Sequence, residues 1–341
     1  MTATTLRTVG ELGMIRRIRD AVSGGPPSGV RTGIGDDTAV LALTPGASLL
    51  ATTDLLIEDV HFRRSWASPY DIGWKTMAVN LSDIAAMGGI PRWALVALAL
   101  PSSVDLTDVD ALYRGLREAA APHGVVVVGG DSSASPSGWM IDVTLLGEHT
   151  GTPKLRSAAK AGDAVAVTGT LGQSAAGLAL LEAGKGSPHV DARTWNVLEG
   201  AHLRPTPRLA EGRWLGNQPS VHAMIDLSDG LTTDLGHICR ESGVGARVEL
   251  EAVPVAAATN EAARALGVDL LEWATGGGED YELLLTCEPG AVAVLSRELL
   301  AATGTILTVI GRIEAKAATV TYLDARGNPV AMRSGYQHFD G

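Results

Sequence analysis

Apolar and polar positions along the chain follow two alternating periods, one suited to strands and the other to helices. Leu49-Leu50-Ala51-Thr52-Thr53-Asp54 reads as a strand running into an acidic end, and Trp93 to Leu100 as another strand. Between them, Tyr70 to Met87 carries Met77, Leu81 and Ile84 at i, i+4 and i+7, which predicts a helix with one apolar face. Gly88-Gly89 and Pro91 are its stop signals. Asp105 to Ala121 predicts a helix ended by Pro122 and Gly124, Val125 to Val128 a buried strand delivering Gly129-Gly130-Asp131, and Met140 to Leu146 a further strand.

The polar, turn-rich stretch His149-Thr150-Gly151-Thr152-Pro153 predicts a domain boundary near residue 150, hence domains 1–150 and 151–341. Beyond it, Ala164 to Val167 is a strand leading into Thr168-Gly169-Thr170-Leu171-Gly172-Gln173-Ser174, followed by a helix to Gly184 and an exposed loop over 184–194. His222 to Ile225 is a strand that meets Asp226-Leu227-Ser228-Asp229-Gly230, and the next helix carries Leu231, Leu235 and Ile238 on one face. Glu282 to Thr286 and Leu307 to Ile310 read as strands, with a helix over Val292 to Leu300 between them. This interleaving predicts an α/β (α+β) class, with no repeat-protein period.

Composition narrows the picture. A chain of 341 residues with 45% hydrophobic residues can bury two cores. The formal net charge of −11 argues against nucleic acid as a partner, since such binding rests on Lys and Arg neutralising phosphates. Small phosphorylated ligands stay open to an acidic protein if divalent metals intervene. Cys239 and Cys287 lie far apart, outside any C-x-x-C spacing, as expected of reduced cysteines in a cytoplasmic protein. Met1 to Arg7 has no apolar h-region, and the longest apolar run, Trp93 to Leu100, is too short to span a bilayer, so no secretory signal and no membrane are expected.

Candidate chemistry lies in six acidic turns: Gly33-Ile34-Gly35-Asp36-Asp37, Thr52-Thr53-Asp54, Asn80-Leu81-Ser82-Asp83, Gly129-Gly130-Asp131, Asp226-Leu227-Ser228-Asp229-Gly230 and Gly276-Gly277-Gly278-Glu279-Asp280. Each alone is ordinary turn chemistry. Together, several of them at strand ends, they predict carboxylates gathered at one edge of a sheet, which would repel one another without cations between them. Mg²⁺ suits such oxygen donors, and Thr52 and Thr53 add hydroxyl or carbonyl oxygens beside Asp54. Asp83 sits inside a helix, where a charge is costly unless capped, ion-paired or metal-bound. Neither a P-loop at Gly184-Lys185-Gly186 nor a dinucleotide fingerprint at Gly33 to Thr38 survives, for want of the other residues each needs. Gly169 to Ser174 suits either an anion held by backbone N–H groups or a tight turn with Ser174 as N-cap. On pattern alone, His61 and Arg156 are phosphate contacts or surface residues, and Tyr336 either stacks on a ring or anchors the tail.

The ordered set of motifs resembles the thiamine-monophosphate kinase family over about residues 10–340. The matching pieces are Gly-Ile-Gly-Asp-Asp at 33–37, Thr53-Asp54 with His61-Phe62, Ala78 to Gly88, Gly-Gly-Asp at 129–131, Thr168 to Leu178, His202-Leu203-Arg204-Pro205, Ile225 to Leu231 and Gly-Gly-Glu-Asp-Tyr-Glu at 277–282. Several are shared with aminoimidazole ribonucleotide synthetase, selenophosphate synthetase and a hydrogenase-maturation carbamoyl dehydratase. The resemblance implies a two-domain aminoimidazole ribonucleotide synthetase-like fold, with an N-terminal sheet domain that pairs in a homodimer and a C-terminal α/β sandwich. It implies ATP-dependent phosphorylation of thiamine monophosphate with several Mg²⁺ ions. Asp37, Thr52, Thr53, Asp54, Asp83, Asp131, Asp226 and Asp229 would hold metal. Gly130, Asp131, Arg156, Ser228 and Tyr113 would contact ATP, while His61, Glu279 and Tyr336 would face the thiamine phosphate. The chain departs at Ala158, where the family often has Gly.

The acceptor is already an oxyanion, so the resemblance implies direct in-line transfer without a protein acid, base or nucleophile. The site would draw on both halves of the chain. Selenophosphate synthetase is disfavoured because no Cys precedes residue 239, and the dehydratase because the sequence ends His338-Phe339-Asp340-Gly341 rather than in Cys. An aminoimidazole ribonucleotide synthetase-like enzyme and an inactive nucleotide-binding homologue are the remaining alternatives.

Overall fold

The computed structural model describes residues 5–22, 29–35, 37–184, 190–315, 319–333 and 335–336. Asp36 of the first acidic turn, residues 185–189 of the expected loop, Met1 to Thr4 and the chain after Tyr336 lie outside them. Two compact units form: one comprises Met1–Ile84 and Gly89–Thr152, the other Ala85–Gly88 and Pro153–Gly341.

The first unit opens with α1 (Leu6–Val22) and a small ribbon of β1 (Val30–Thr32) with β2 (Val40–Leu41). Then come β3 (Ser48–Ile57), α2 (Pro69–Ala86), β4 (Ile90–Leu100), α3 (Leu106–Ala120), β5 (Val126–Ala134) and β6 (Met140–His149). They make a four-stranded sheet in the order β3-β6-β4-β5, antiparallel except for β4 and β5. That parallel pair needs a crossover, which α3 supplies. Along β6, Ile141, Val143 and Leu145 are buried while Met140, Asp142 and Thr144 are not, so one sheet face is covered and the other open. Ile84 of α2 approaches Gly147 on the covered face. The apolar face expected for α2 is buried, with Met77 and Leu81 fully enclosed and Ile84 nearly so.

The second unit contains β7 (Ala164–Thr168), α4 (Gln173–Ala183), α5 (Ala192–Leu203), α6 (Leu209–Gly216), β8 (Val221–Asp226) and α7 (Leu231–Ser242). It continues with β9 (Gly245–Glu249), α8 (Ala257–Leu266), α9 (Leu270–Gly276), β10 (Leu283–Cys287), α10 (Val292–Thr303), β11 (Leu307–Glu314), β12 (Val320–Leu323) and β13 (Pro329–Val330). Its seven strands run β13-β12-β9-β11-β7-β10-β8. Every residue of β7 and β10 is buried, which is why both read as unbroken apolar runs rather than alternations. Leu231, Leu235 and Ile238 of α7 join Val165, Val167, Ile225 and Leu284 in the core. A second cluster joins α4, α5 and α8 through Ala176, Leu180, Leu198 and Ala262.

Two local expectations change. Of the described residues in the loop expected over 184–194, only the last three belong to a helix instead: they open α5, whose start is fixed by the Asp191 carboxylate accepting from Thr194 N at 2.7 Å. Two acidic motifs of the first unit, Thr52-Thr53-Asp54 and Gly129-Gly130-Asp131, do not sit at strand ends, whereas Gly33 directly follows β1. β3 continues to Ile57 and β5 to Ala134, because β6 and β4 pair with them along their whole lengths.

Candidate active site

In the first unit, strand alternation divides the acidic motifs between two sheet faces. Thr52 and Asp54 share the covered face with Leu56, and the Thr52 hydroxyl donates to Asp83 Oδ2 on α2. Thr53 faces the other way: its hydroxyl lies 3.0 Å from Asp142 Oδ2 and 3.1 Å from Thr144 Oγ1. Asp142 and Asp131 both stand opposite Ala97 of β4, one on each neighbouring strand. The Asp131 carboxylate accepts from Ser132 N at 2.8 Å. Gly130 beside it approaches β4 so closely that a Cβ would overlap the Val96 carbonyl. Asp37 is exposed.

His61 belongs to a tied turn between β3 and α2. Its Nδ1 accepts from Ile57 N at 3.0 Å, Asp59 N donates to Phe62 O at 2.8 Å, and Glu58 Oε2 accepts from Trp139 N at 2.9 Å. Asp59 itself takes φ +67°. Tyr113 departs from a ligand-facing position. It is 4% exposed on the inner side of α3, and burial raises its phenol's pKa.

In the second unit, β8 ends at Asp226, as the sequence predicts, and delivers the Ser228-Asp229 turn. Ser228 O accepts from Glu279 N at 2.8 Å and Asp229 O from Tyr336 N at 3.1 Å. These two bonds bring Asp226, Ser228, Asp229, Glu279 and the half-exposed Tyr336 into one neighbourhood. Asp234, in the first turn of α7, accepts from Asp229 N at 3.2 Å and Gly230 N at 3.1 Å. Burial, together with the charges of Asp226 and Asp229, pushes its carboxyl up to about 8, opposed in part by Arg156. Asp229, Asp234 and His237 offer donor atoms within 4.8 Å of one another. Burial, Arg240 and Arg156 lower the pKa of His237. The backbone carbonyl of Arg156 is held by Ser242 Oγ of α7 at 2.8 Å.

The loop at 169–174 meets one expectation and not the other: its backbone N–H groups hold an anion, but Ser174 is not the N-cap. The anion at its N–H groups is the chain's own Asp280, which accepts from Gly172 N at 2.6 Å and Ser174 N at 3.2 Å. The N-cap is Gly172, at φ +83°, and Ser174 turns its hydroxyl to His202 Nδ1 at 3.0 Å. Desolvation of the Asp280 carboxyl pushes it up to about 7, against the pull of those N–H groups. Glu282 takes Arg208 bidentately at 2.7 and 2.5 Å and the Thr168 hydroxyl at 2.6 Å.

Sequence reasoning assigned no role to Asp142 or Asp234, and named His202 only within a motif and Asp280 only within the sixth acidic turn. Asp234 carried a local signal, since an acid in a helix's first turn suits its N-terminus. The others meet their partners only through tertiary structure.

Both halves of the chain match known protein models. Residues 35–149 match the AIR synthase related protein N-terminal domain, and residues 160–324 its C-terminal domain. The chain is 40% identical over 342 residues to a thiamine-monophosphate kinase of Salmonella typhimurium, covering 97% of this chain and 98% of that one. The crystal structure of thiamine-monophosphate kinase from Stenotrophomonas maltophilia K279a superposes with a TM-score of 0.80 at 35% identity, covering 93% and 96% of the two chains. A structure of AaThiL complexed with AMPPCP and TMP does so with a TM-score of 0.76 at 35% identity, covering 99% and 100%.

Proposed function

This chain belongs to the thiamine-monophosphate kinase family, and from that membership we propose that it transfers the γ-phosphoryl group of ATP to thiamine monophosphate, giving thiamine diphosphate. One observation carries the reading beyond kinship. The Ser228-Asp229 turn, assigned to nucleotide and metal, is hydrogen-bonded through its own carbonyls to the backbones of Glu279 and Tyr336, assigned to the acceptor. In-line transfer needs donor and acceptor groups held side by side.

The acceptor's phosphate monoester is an oxyanion at neutral pH, so positioning and charge neutralisation are what the protein has to supply. Arg156, Ser228 and Gly130 contact the nucleotide, with Tyr113 reached only if its buried ring is uncovered. His61, Glu279 and Tyr336 orient the thiamine phosphate. The metal donors Asp37, Thr52, Thr53, Asp54, Asp83, Asp131, Asp226 and Asp229 are all hard oxygens, as Mg²⁺ prefers, while both cysteines are buried in the core and offer no thiolate. When bound, Mg²⁺ neutralises the phosphate charges that the reaction brings together. The free, buried Cys239 and Cys287 favour a reducing, cytoplasmic setting, and no helix among the described residues is long and apolar enough to cross a membrane. The open sheet face of the first unit supports pairing into a homodimer.

Purified protein with ATP, Mg²⁺ and thiamine monophosphate is expected to form thiamine diphosphate, and chelation by EDTA to stop it. Asp54→Asn or Asp131→Asn should lower kcat by about a hundredfold or more, as losses of charge-stabilising groups do. Absence of thiamine diphosphate from the wild type, or unimpaired turnover in both variants, overturns the reading or its metal assignment respectively.

A further inference from the structure

We propose that His202 of α5 is a positioning residue for the acceptor site, holding the Glu279 carboxylate in its binding direction; this rests on the reading that Glu279 faces the thiamine phosphate. Glu279 is one of three non-glycine residues at positive φ among the described residues, at +66°. Such a conformation persists only where its surroundings impose it. Its N–H is committed to Ser228 O, and Gly278 before it leaves no room for a Cβ against that same carbonyl. The backbone is therefore fixed, and what remains to be set is the direction of the carboxylate.

His202 sets it. Its side chain is 5% exposed and its Nδ1 lies 3.3 Å from Glu279 Oε2, whereas the Glu279 side chain is 27% exposed and so open to a ligand on its other side. The same Nδ1 lies 3.0 Å from Ser174 Oγ. Ser174 is itself anchored, its N–H donating to Asp280. A closed ring results: Asp280 to Ser174, Ser174 to His202, His202 to Glu279, and Glu279 back to Asp280 through the peptide bond. A closed ring of this kind restricts the rotamers of each member. The acceptor carries a permanently cationic thiazolium ring and an aminopyrimidine, both suited to a fixed carboxylate.

The test is steady-state kinetics on the full chain with ATP and Mg²⁺, for His202→Ala, His202→Asn, Ser174→Ala, Glu279→Gln and the double variant Glu279→Gln/His202→Ala. His202→Ala should raise KM for thiamine monophosphate about tenfold while KM for ATP stays within about twofold. His202→Asn, whose amide occupies the place of Nδ1, should recover most of the loss, and Ser174→Ala should show a rise of about threefold. Because His202 acts through Glu279, the double variant should be no worse than Glu279→Gln alone. Multiplying effects in the double variant, or an equal rise in both KM values, overturns the role of His202. If Glu279→Gln raises KM for the acceptor and His202→Ala does not, the relay fails and the acceptor assignment stands. If Glu279→Gln changes nothing, the assignment fails and the relay with it. Should His202→Ala not fold, His202→Asn and Ser174→Ala decide: wild-type acceptor KM in Ser174→Ala and a loss in His202→Asn common to both substrates reject the proposal.

Discussion

Asp280 carries the clearest electrostatic tension at the scale of single residues. It closes the N-terminus of α4 with hydrogen bonds that favour its charged form, yet desolvation raises its pKa to about 7. Between about pH 4 and 7 the native state then retains a proton that the unfolded chain has released. More protons on the native state mean that stability falls as pH rises through this window and levels off above it. Asp280→Asn removes the titration. Its stability relative to wild type should be higher at pH 8 than at pH 5, read as the difference between urea midpoints at the two pH values. A difference that stays constant with pH would show that Asp280 does not titrate in this window. No reading of neighbouring positions reaches this result. Gly169 to Ser174 has the composition of an anion-binding turn, and the turn does hold an anion, but one supplied from 108 residues away.

Just over half of the elements were legible, whereas α1, α5, α6, α8, α9 and the strands β1, β2, β9, β12 and β13 were not read from the sequence. α2, α3, α4, β4, β7, β8 and β10 fall where apolar period and glycine or proline stops predict, because each is decided by its own neighbours in sequence. The two strand-end misreadings share one cause. Thr52-Thr53-Asp54 and Gly129-Gly130-Asp131 read as strand ends because Gly and Asp favour turns locally, and only pairing with β6 and β4 carries the strands through them. The crossing of α2 and α3 has the same non-local origin. Gly73 lies against Leu112 O and Gly115 against Tyr70 O and Trp74 N, so neither position has room for a Cβ. Gly115→Ala should force the helices apart and cost about 1–3 kcal/mol, as overpacking does. Gly200 of α5 has open space around it, so Gly200→Ala should instead gain about 0.5–1 kcal/mol from helix propensity. Chemical denaturation of the two variants measures the contrast. Equal effects would mean that the α2–α3 contact yields without cost.

For the whole molecule, the proposal with the largest structural consequence is pairing of two chains through the sheet of the first unit. That sheet is covered on one face only. On the other, Leu49 is 50% exposed, Leu55 49% and Met140 37%, a concentration of apolar surface along β3 and β6 around Thr53 and Asp142. A sheet face of this kind calls for a partner layer, and a second copy supplies one of matching composition by two-fold symmetry. Placing a charge at its centre should be costly only in the assembled state, because Leu55 is already open to water in the single chain. Leu55→Asp is therefore expected to sediment as a monomer with unchanged far-ultraviolet circular dichroism, while wild type sediments as a dimer. The acidic residues of this face, Asp131 and Asp142, would be enclosed on pairing, so Mg²⁺ should tighten the wild-type dimer and EDTA loosen it. A wild type that sediments as a monomer at micromolar concentration, or a Leu55→Asp variant that remains dimeric, rejects pairing through this face.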